Sequence, residues 1–186
     1  VINVITKKGS GQDSVGISAG YYEQLKLQNT FVLDKNIFNI NAYYFESDHL
    51  SAVSSETEKD LNINKGFTLN HSLETDRIQT STMIKYFDSY IESDAYDIVQ
   101  KKFVDDSNSF NKDLSTFFRH KLTAKIAEQR SLIFNIGVSK YKRQNKYLES
   151  VDYKKNYYEG DTFETELRIK EDFLDGNLIY GINQSK

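Results

Sequence analysis

The stretch Phe38-Asn39-Ile40-Asn41-Ala42-Tyr43-Tyr44 alternates apolar and polar residues over most of its length. In a β-strand, successive side chains point to opposite faces, so Phe38, Ile40 and Ala42 share one face and the asparagines share the other. On an α-helix the same residues would spread around the axis without forming an apolar stripe. The stretch therefore predicts a strand with one apolar face and one polar face.

The alternation recurs along the chain, in the ranges 15–21, 132–139 and 163–169. Four short turn signals lie roughly 40 to 50 residues apart, each between two strand-like runs. They are Asp34-Lys35-Asn36, Thr75-Asp76-Arg77, Glu128-Gln129-Arg130 and Asp175-Gly176. Longer polar stretches, predicted to be loops, occupy 47–64, 91–113 and 142–161. Short turns at one end and long loops at the other predict an antiparallel up-and-down meander of about nine strands.

Composition narrows the classes of protein that remain. The 186 residues carry a net charge of -3, which gives no overall basic footprint for nucleic acid. The chain has no cysteine, which excludes disulfides, thiol catalysis and cysteine metal sites from it, and its lack of proline suits a sheet. No apolar run approaches the roughly 18 residues of a membrane helix, but barrel strands alternate and give a weaker hydropathy signal.

The aromatic residues bear on what the apolar face contacts. In a soluble sandwich this face packs against a second sheet, whereas in an outer-membrane barrel it meets lipid and the polar face meets a wet interior. Two aromatic groups favour the barrel, because membrane barrels carry aromatic girdles at both interfaces. One lies away from the short turns, at Tyr21, Tyr22, Tyr43, Tyr44, Phe45, Tyr86, Phe87, Tyr90 and Tyr141. The other flanks those turns, at Phe31, Phe38, Phe173 and Tyr180. A soluble sandwich or propeller stays open, because polar-phase charges at Lys85, Glu164, Glu166 and Arg168 fit both folds.

Enzymatic motifs are not evident in the sequence. The three histidines, His49, His71 and His120, lie on different segments without metal-ligand spacing. His71 and His120 fall on the apolar phase of their strands, where a hydrogen-bonded histidine is expected. There is no glycine-rich phosphate loop or nucleophile elbow, and no pair of acids is singled out as a glycosidase pair. The sequence predicts that the protein is not an enzyme.

The first nine residues, Val1-Ile2-Asn3-Val4-Ile5-Thr6-Lys7-Lys8-Gly9, resemble the last plug-domain strand of TonB-dependent outer-membrane receptors. The resemblance implies that residues 1–9 end the plug, that 10–14 form a linker, and that 15–186 begin an antiparallel up-and-down transmembrane β-barrel. Such barrels have about 22 strands, so both ends of the chain are expected to be cut from something longer. The resemblance implies that the protein lies in the bacterial outer membrane and crosses it many times.

Two polar stretches are similar to loops of the cobalamin-receptor branch of that family, at 51–60 and at 93–97 after Tyr86-Phe87-Asp88. In that branch, loop aspartates bind calcium before the corrinoid docks. The candidate calcium ligands implied here are Asp48, Glu58, Asp60, Asp94, Asp105 and Asp106. Calcium takes six to eight oxygen ligands, which convergent acidic loops can supply, although these acids do not have EF-hand spacing. The alternative is that they keep the loops soluble, and Asp60-Leu61-Asn62 departs from the Asp-Gly common in related chains.

The resemblance also implies a function and partners. The expected function is TonB-dependent uptake of a large, scarce nutrient, with cobalamin as the transported ligand and TonB contacting a plug segment outside this chain. Outer-membrane lipid and lipopolysaccharide would surround the barrel, and no nucleic-acid partner is expected. A siderophore or haem receptor, which would bind an iron chelate, is the alternative within the family. A surface adhesin or a soluble carbohydrate-binding sheet protein is the alternative from another class.

Overall fold

The computed structural model describes residues 13–20, 22–50, 60–97, 101–104, 108–149, 152–173 and 176–186. Within these ranges the chain is all-β, with eleven strands and no helix. The strands are β1 Ser14–Ser18, β2 Glu23–Leu33, β3 Asn36–Leu50, β4 Asp60–Glu74, β5 Ile78–Glu92, β6 Ala95–Asp97, β7 Lys102–Val104, β8 Phe110–Ala127, β9 Arg130–Glu149, β10 Asp152–Phe173 and β11 Gly176–Ser185. The predicted plug strand at 1–9 and most of the 10–14 linker lie outside the described residues, whereas Ser14 belongs to β1.

Nine strands form one antiparallel sheet, in the order β1-β2-β3-β4-β5-β8-β9-β10-β11. Each strand of this sheet pairs with the next one along the chain. The small β6–β7 hairpin lies between β5 and β8 in the sequence and forms a sheet of its own, so β5 pairs with β8. This arrangement confirms the predicted meander of nine strands. β1 and β11 stand at the two edges of the sheet.

Three predicted short turns are confirmed. Asp34 and Lys35 join β2 to β3, and Asp34 has a φ of 54°, a left-handed conformation that aspartate tolerates better than most residues. The Thr75 amide donates to the Ile78 carbonyl at 2.8 Å and closes the second turn. Residues 128–129 make the third, between β8 and β9. The paired residues Phe173 and Gly176 bracket the fourth, whose residues 174–175 lie outside the described part.

The loop predicted at 142–161 was wrong, because β9 and β10 stay paired from Arg130 to Glu149 and from Asp152 to Glu171. Polar residues can pair as strands there because cross-strand contacts hold them together. The Lys142 ammonium lies 2.7 Å from the Glu159 carboxylate, and the Lys146 ammonium lies 4.7 Å from the Tyr153 ring centroid. The predicted loop at 47–64 is also shorter than expected, since β3 extends to Leu50 and β4 begins at Asp60.

The register divides the sheet into an apolar face and a polar face. Phe38, Ile40 and Ala42 share the apolar face, as predicted. The other apolar series lie on the same face: Val15 and Ile17, the even positions from Leu132 to Val138, and the odd positions from Phe163 to Ile169. The polar face carries Asn39 and Asn41, together with the predicted charged residues Lys85, Glu164, Glu166 and Arg168.

The apolar face carries apolar residues over only part of the length of each strand, and we call this part the apolar band. It covers the apolar-face positions of 25–33, 36–44, 67–73, 78–86, 118–124, 132–138 and 163–169, or seven to nine residues per strand. Beyond it, away from the short turns, the same face turns charged at Lys65, Asp88, Lys142 and Glu159. We call the parts of β8, β9 and β10 beyond the band, residues 110–117, 139–149 and 152–162, the outer extension.

The short turns are staggered from strand to strand. One cross-sheet row joins residues on seven strands: Asn29, Ile40, Leu69, Ile84, Phe118, Val138 and Phe163. β2 ends at Leu33, four residues past this row, whereas β10 ends at Phe173, ten residues past it. The shift is six residues over six strand spacings, or about 3.3 Å for every 4.8 Å across the sheet. If the short turns lie at one level, the strands must therefore be tilted by about 35° from the perpendicular to that level.

Candidate functional site

The apolar band is open to its surroundings. Ile84, Phe118 and Phe163 lie on one row of the band, and their exposed fractions are 40%, 36% and 38%. Residues at the centre of a folded core would be almost fully buried. A surface this wide and this apolar needs an apolar environment or a covering partner.

Two predicted histidine environments are confirmed. His71 lies on the apolar face with its Nε2 2.9 Å from Asn36 Oδ1, and its ring stacks on Phe38 at 4.7 Å. His120 Nδ1 lies 2.8 Å from Thr82 Oγ1. Each imidazole thus satisfies a polar atom across strands within the band. The side chain of His49 lies outside the described part.

The polar face carries a ladder of hydrogen bonds. Asn135 Nδ2 donates to Glu166 Oε2 at 2.7 Å, and Glu166 also forms an ion pair with Arg168. Ser139 and Thr162 hydroxyls meet at 2.6 Å. Within the residue ranges of the band the polar face has five cations and two acids: Lys26, Lys85, Arg119, Lys121 and Arg168, against Glu164 and Glu166. This excess attracts negatively charged solutes.

An ion pair on the polar face joins β8 and β9 near the start of the outer extension. Asp113 on β8 lies opposite Arg143 on β9, and the guanidinium donates to its two oxygens at 2.6 and 3.0 Å. The Tyr141 hydroxyl donates to the same carboxylate at 3.0 Å. The hydrogen bonds from Arg143 hold the pKa of the Asp113 carboxyl below its usual range. Sequence reasoning missed this cluster because it assigned Arg143 to a loop.

Two tyrosines, Tyr44 and Tyr86, mark the outer edge of the band on the apolar face. Each donates a hydroxyl hydrogen bond to an acid two residues further from the short turns, Glu46 and Asp88 respectively, and Tyr90 makes the same contact to Glu92 beyond the band. The rings of Tyr44 and Tyr86 thus lie at the end of the band while their polar ends point away from it, as tyrosine does at a boundary between apolar and wet surroundings. Tyr43, Phe45, Phe87 and Tyr141, predicted in the same aromatic group, lie on the polar face instead.

The predicted calcium ligands are only partly described. Asp48, Asp60 and Asp94 lie at the same end of the sheet, away from the short turns, near the ends of β3, β4 and β5. Glu58, Asp105 and Asp106 lie outside the described residues. Within the described ranges, no group of three or more His, Cys, Asp or Glu side chains is arranged to hold a metal ion. The carboxylates suit calcium chemically, and they stay candidates.

Comparison of the chain with protein-family models, curated proteins and solved structures found no match. No helix among the described residues is long and apolar enough to cross a membrane.

Proposed function

We propose that the chain forms wall strands of a TonB-dependent receptor in the bacterial outer membrane. The observation that carries the proposal is the apolar band, uncovered in the described part and bounded by Tyr44 and Tyr86 on one side and by the short turns on the other. A band of seven to nine residues measures roughly 23–30 Å along a strand, which a tilt of about 35° reduces to a height of about 19–25 Å. Outer-membrane barrels have apolar bands of about this height and strands tilted by about 35–45°.

The two faces then have different roles. The apolar band contacts lipid, and the polar face lines the interior of the barrel, where a plug and a passing ligand would be contacted. The excess of cations on this face favours ligands with negative groups, such as the phosphate of a corrinoid or the carboxylates of an iron chelate. The wall would perform no covalent chemistry, and transport would follow from differential binding and from rearrangement of the plug driven by TonB.

Cobalamin is the proposed ligand on the strength of the sequence resemblance at 51–60 and 93–97. Calcium bound by Asp60 and Asp94, with Asp48 and the acids outside the described part, would order the loops that receive it. An iron chelate, either a siderophore or haem, is the alternative ligand at the same end of the sheet.

Spin labels test the location of the wall. Because these 186 residues contain no cysteine, Leu122→Cys and Lys121→Cys each give one labelled site in this region, on opposite faces of β8. In vesicles containing the full-length protein, we expect the label at 122 to be relaxed by oxygen but not by a water-soluble nickel chelate. The label at 121 should respond to the nickel chelate. A label at 122 shielded from both reagents would mean a packed soluble sheet, as in the adhesin or carbohydrate-binding alternatives, and would rule out the barrel.

Binding measurements test the ligand. Cyanocobalamin is titrated into the intact receptor with calcium and then with a chelator, and Asp60→Asn and Asp94→Asn are compared with Asp152→Asn, a control in the outer extension. Binding that weakens on chelation and in the first two variants supports both the ligand and the metal. Absence of cyanocobalamin binding in both conditions would remove the corrinoid assignment, and saturable binding of an iron chelate would replace it.

A further inference from the structure

Three asparagines face one another across the outer extension. Asn111 on β8 pairs with Asn145 on β9, and Asn145 pairs with Asn156 on β10. All three lie on the polar face, at the end of the sheet away from the short turns. Because neighbouring strands lie about 4.8 Å apart, the three amides span about 10 Å. We call Asn111, Asn145 and Asn156 the amide row.

The amides of the row do not stabilise the sheet by bonding to one another. In the part of the chain that the structure describes, none of the three side chains takes part in a hydrogen bond, and Asn145 Oδ1 is enclosed without a donor. Asn62 and Asn64, on the same face of β4, do bond to each other at 2.6 Å. Asparagine is also a poor strand former, so its presence at three paired positions does not follow from strand propensity. The row therefore presents donors and acceptors that the sheet itself does not use.

A bound ligand can reach these groups. Asn111 is exposed, and Asn145 and Asn156 are half-buried. The terminal torsion of asparagine is broad, so the Asn145 amide can turn its enclosed oxygen towards a ligand. An unpaired buried acceptor costs free energy, and a donor on the ligand would remove that cost.

The neighbours of the row favour a neutral, polar ligand. On the same face, Asp113 and Arg143 neutralise each other through two hydrogen bonds, and Lys154 has a contact of its own. Tyr147 and Tyr158, diagonally next to the row on β9 and β10, are 40% and 53% exposed, so their rings are also open to a ligand. Within the residue ranges of the band, by contrast, cations exceed acids on the polar face.

We propose that the amide row binds carboxamide groups of the transported ligand. The inference rests on the proposed function, in which the polar face lines a barrel and the ligand enters at this end of the sheet. A carboxamide has one acceptor oxygen and two N–H donors, as each asparagine side chain has, so paired amides satisfy both partners. Corrinoids carry several carboxamides around the ring, whereas haem carries carboxylates, which favour the cations of the band. The row thus selects corrinoids over haem.

Binding of cyanocobalamin to the full-length protein tests the row. The variants are Asn145→Val, at the centre of the row, and the triple variant Asn111→Val/Asn145→Val/Asn156→Val. Gln144→Val is the matched control, because Gln144 is the neighbouring amide on the opposite face of β9. We expect binding about two- to tenfold weaker in the single variant and at least about tenfold weaker in the triple variant, as loss of amide hydrogen bonds predicts. The control should bind as the unmodified protein does.

The ligand supplies a second readout. Monoacids of cyanocobalamin, each with one peripheral carboxamide hydrolysed to a carboxylate, are titrated into the same proteins. At least one monoacid should bind the unmodified protein about tenfold more weakly than cyanocobalamin does, because a site built for hydrogen bonds rejects a ligand that leaves them unpaired. This penalty should disappear in the triple variant. A merely structural effect of the substitutions would leave the penalty unchanged.

Equal affinities of the triple variant and the Gln144→Val control for cyanocobalamin would overturn the proposal, as would a monoacid penalty that persists in the triple variant. Displacement of cyanocobalamin by a neutral oligosaccharide, in the unmodified protein but not in the triple variant, would assign the row to sugar hydroxyls instead. If the triple variant fails to fold, Asn145→Val alone decides between the same outcomes. An unmodified protein that does not bind cyanocobalamin would remove the corrinoid assignment together with this inference. Variants that bind as the control does would remove this inference alone.

Discussion

Asp113 and Arg143 lie directly opposite each other on β8 and β9, joined by two parallel hydrogen bonds at the start of the outer extension. The Arg143 guanidinium also lies 5.5 Å from the Tyr141 ring, and the tyrosine hydroxyl completes the contacts of the carboxylate. Bidentate pairs of this kind fix geometry as well as adding energy. This pair sets the register of the two strands where the apolar band no longer does so.

Acid should weaken this pair. The pKa of Asp113 is lowered in the folded protein, so its contribution to stability is complete above the unfolded pKa of about 3.9 and is lost as the pH falls through the folded value. Asp113→Asn should cost about 1 kcal/mol at neutral pH, a figure discounted for the half-exposed Arg143. Urea unfolding in micelles should show the gap from the unmodified protein narrowing below about pH 4. A gap that stays constant down to strong acid would contradict this assignment; Asp152→Asn is the control.

Gly66 should not tolerate a larger residue. A Cβ at this buried position would lie 2.7 Å from the Tyr43 hydroxyl oxygen and against the tyrosine ring on the neighbouring strand. Gly66→Ala should therefore destabilise the protein by about 1–3 kcal/mol, as overpacking does. Gly137→Ala is the matched control, because its Cβ would meet nothing closer than 3.9 Å. Equal unfolding midpoints for the two variants would show that Tyr43 does not lie over Gly66.

The β9–β10 hairpin should accept a disulfide where the sequence suggested a loop. Asn145 and Asn156 are register partners, and partners in antiparallel strands have Cα atoms about 4.5–5.5 Å apart, which a disulfide can span. Asn145→Cys/Asn156→Cys should oxidise readily and change mobility on a non-reducing gel. Asn145→Cys/Tyr158→Cys, two residues out of register, should oxidise far more slowly. Comparable rates for the two pairs would be expected only of a mobile loop.

The sequence predicted the meander well because alternation within the band is strict. Leu132, Phe134 and Ile136 alternate with polar or small residues, and a buried or lipid-facing surface tolerates few exceptions to that pattern. In the outer extension both faces are polar, so Lys142 and Tyr157 resemble loop residues although they are paired with neighbouring strands. Periodicity in hydropathy cannot detect such strands, and only the cross-strand charge pairs distinguish them.

The candidate site was less predictable for a different reason. Asp48, Asp60 and Asp94 were selected by resemblance, and the strands bring them to one end of the sheet, as up-and-down topology requires. Which acids converge depends on the path of the connections between strands, and local sequence does not determine that path.

The histidines allow a measurement of coupling within the band. His120 and Thr82 are register partners whose polar atoms meet at 2.8 Å. In the membrane location proposed for the band, such side-chain hydrogen bonds should contribute about 0.6 kcal/mol on average. A double-mutant cycle of His120→Phe and Thr82→Val should give a coupling energy of about this size. The same cycle with Thr80→Val should give none, and coupling in both cycles would point to a general disturbance of β5.

The stagger of the short turns limits how the two free edges can be completed. If every added strand repeats the step of about one residue, a wall that closes on itself meets its first strand displaced by about as many residues as it has strands. The offset at the closing seam, counted in residues, is then about equal to the number of strands. Inserting or deleting one residue in any strand would change that offset, and because one residue reverses the side-chain phase, it would bring lysines and asparagines to the apolar face along the whole seam.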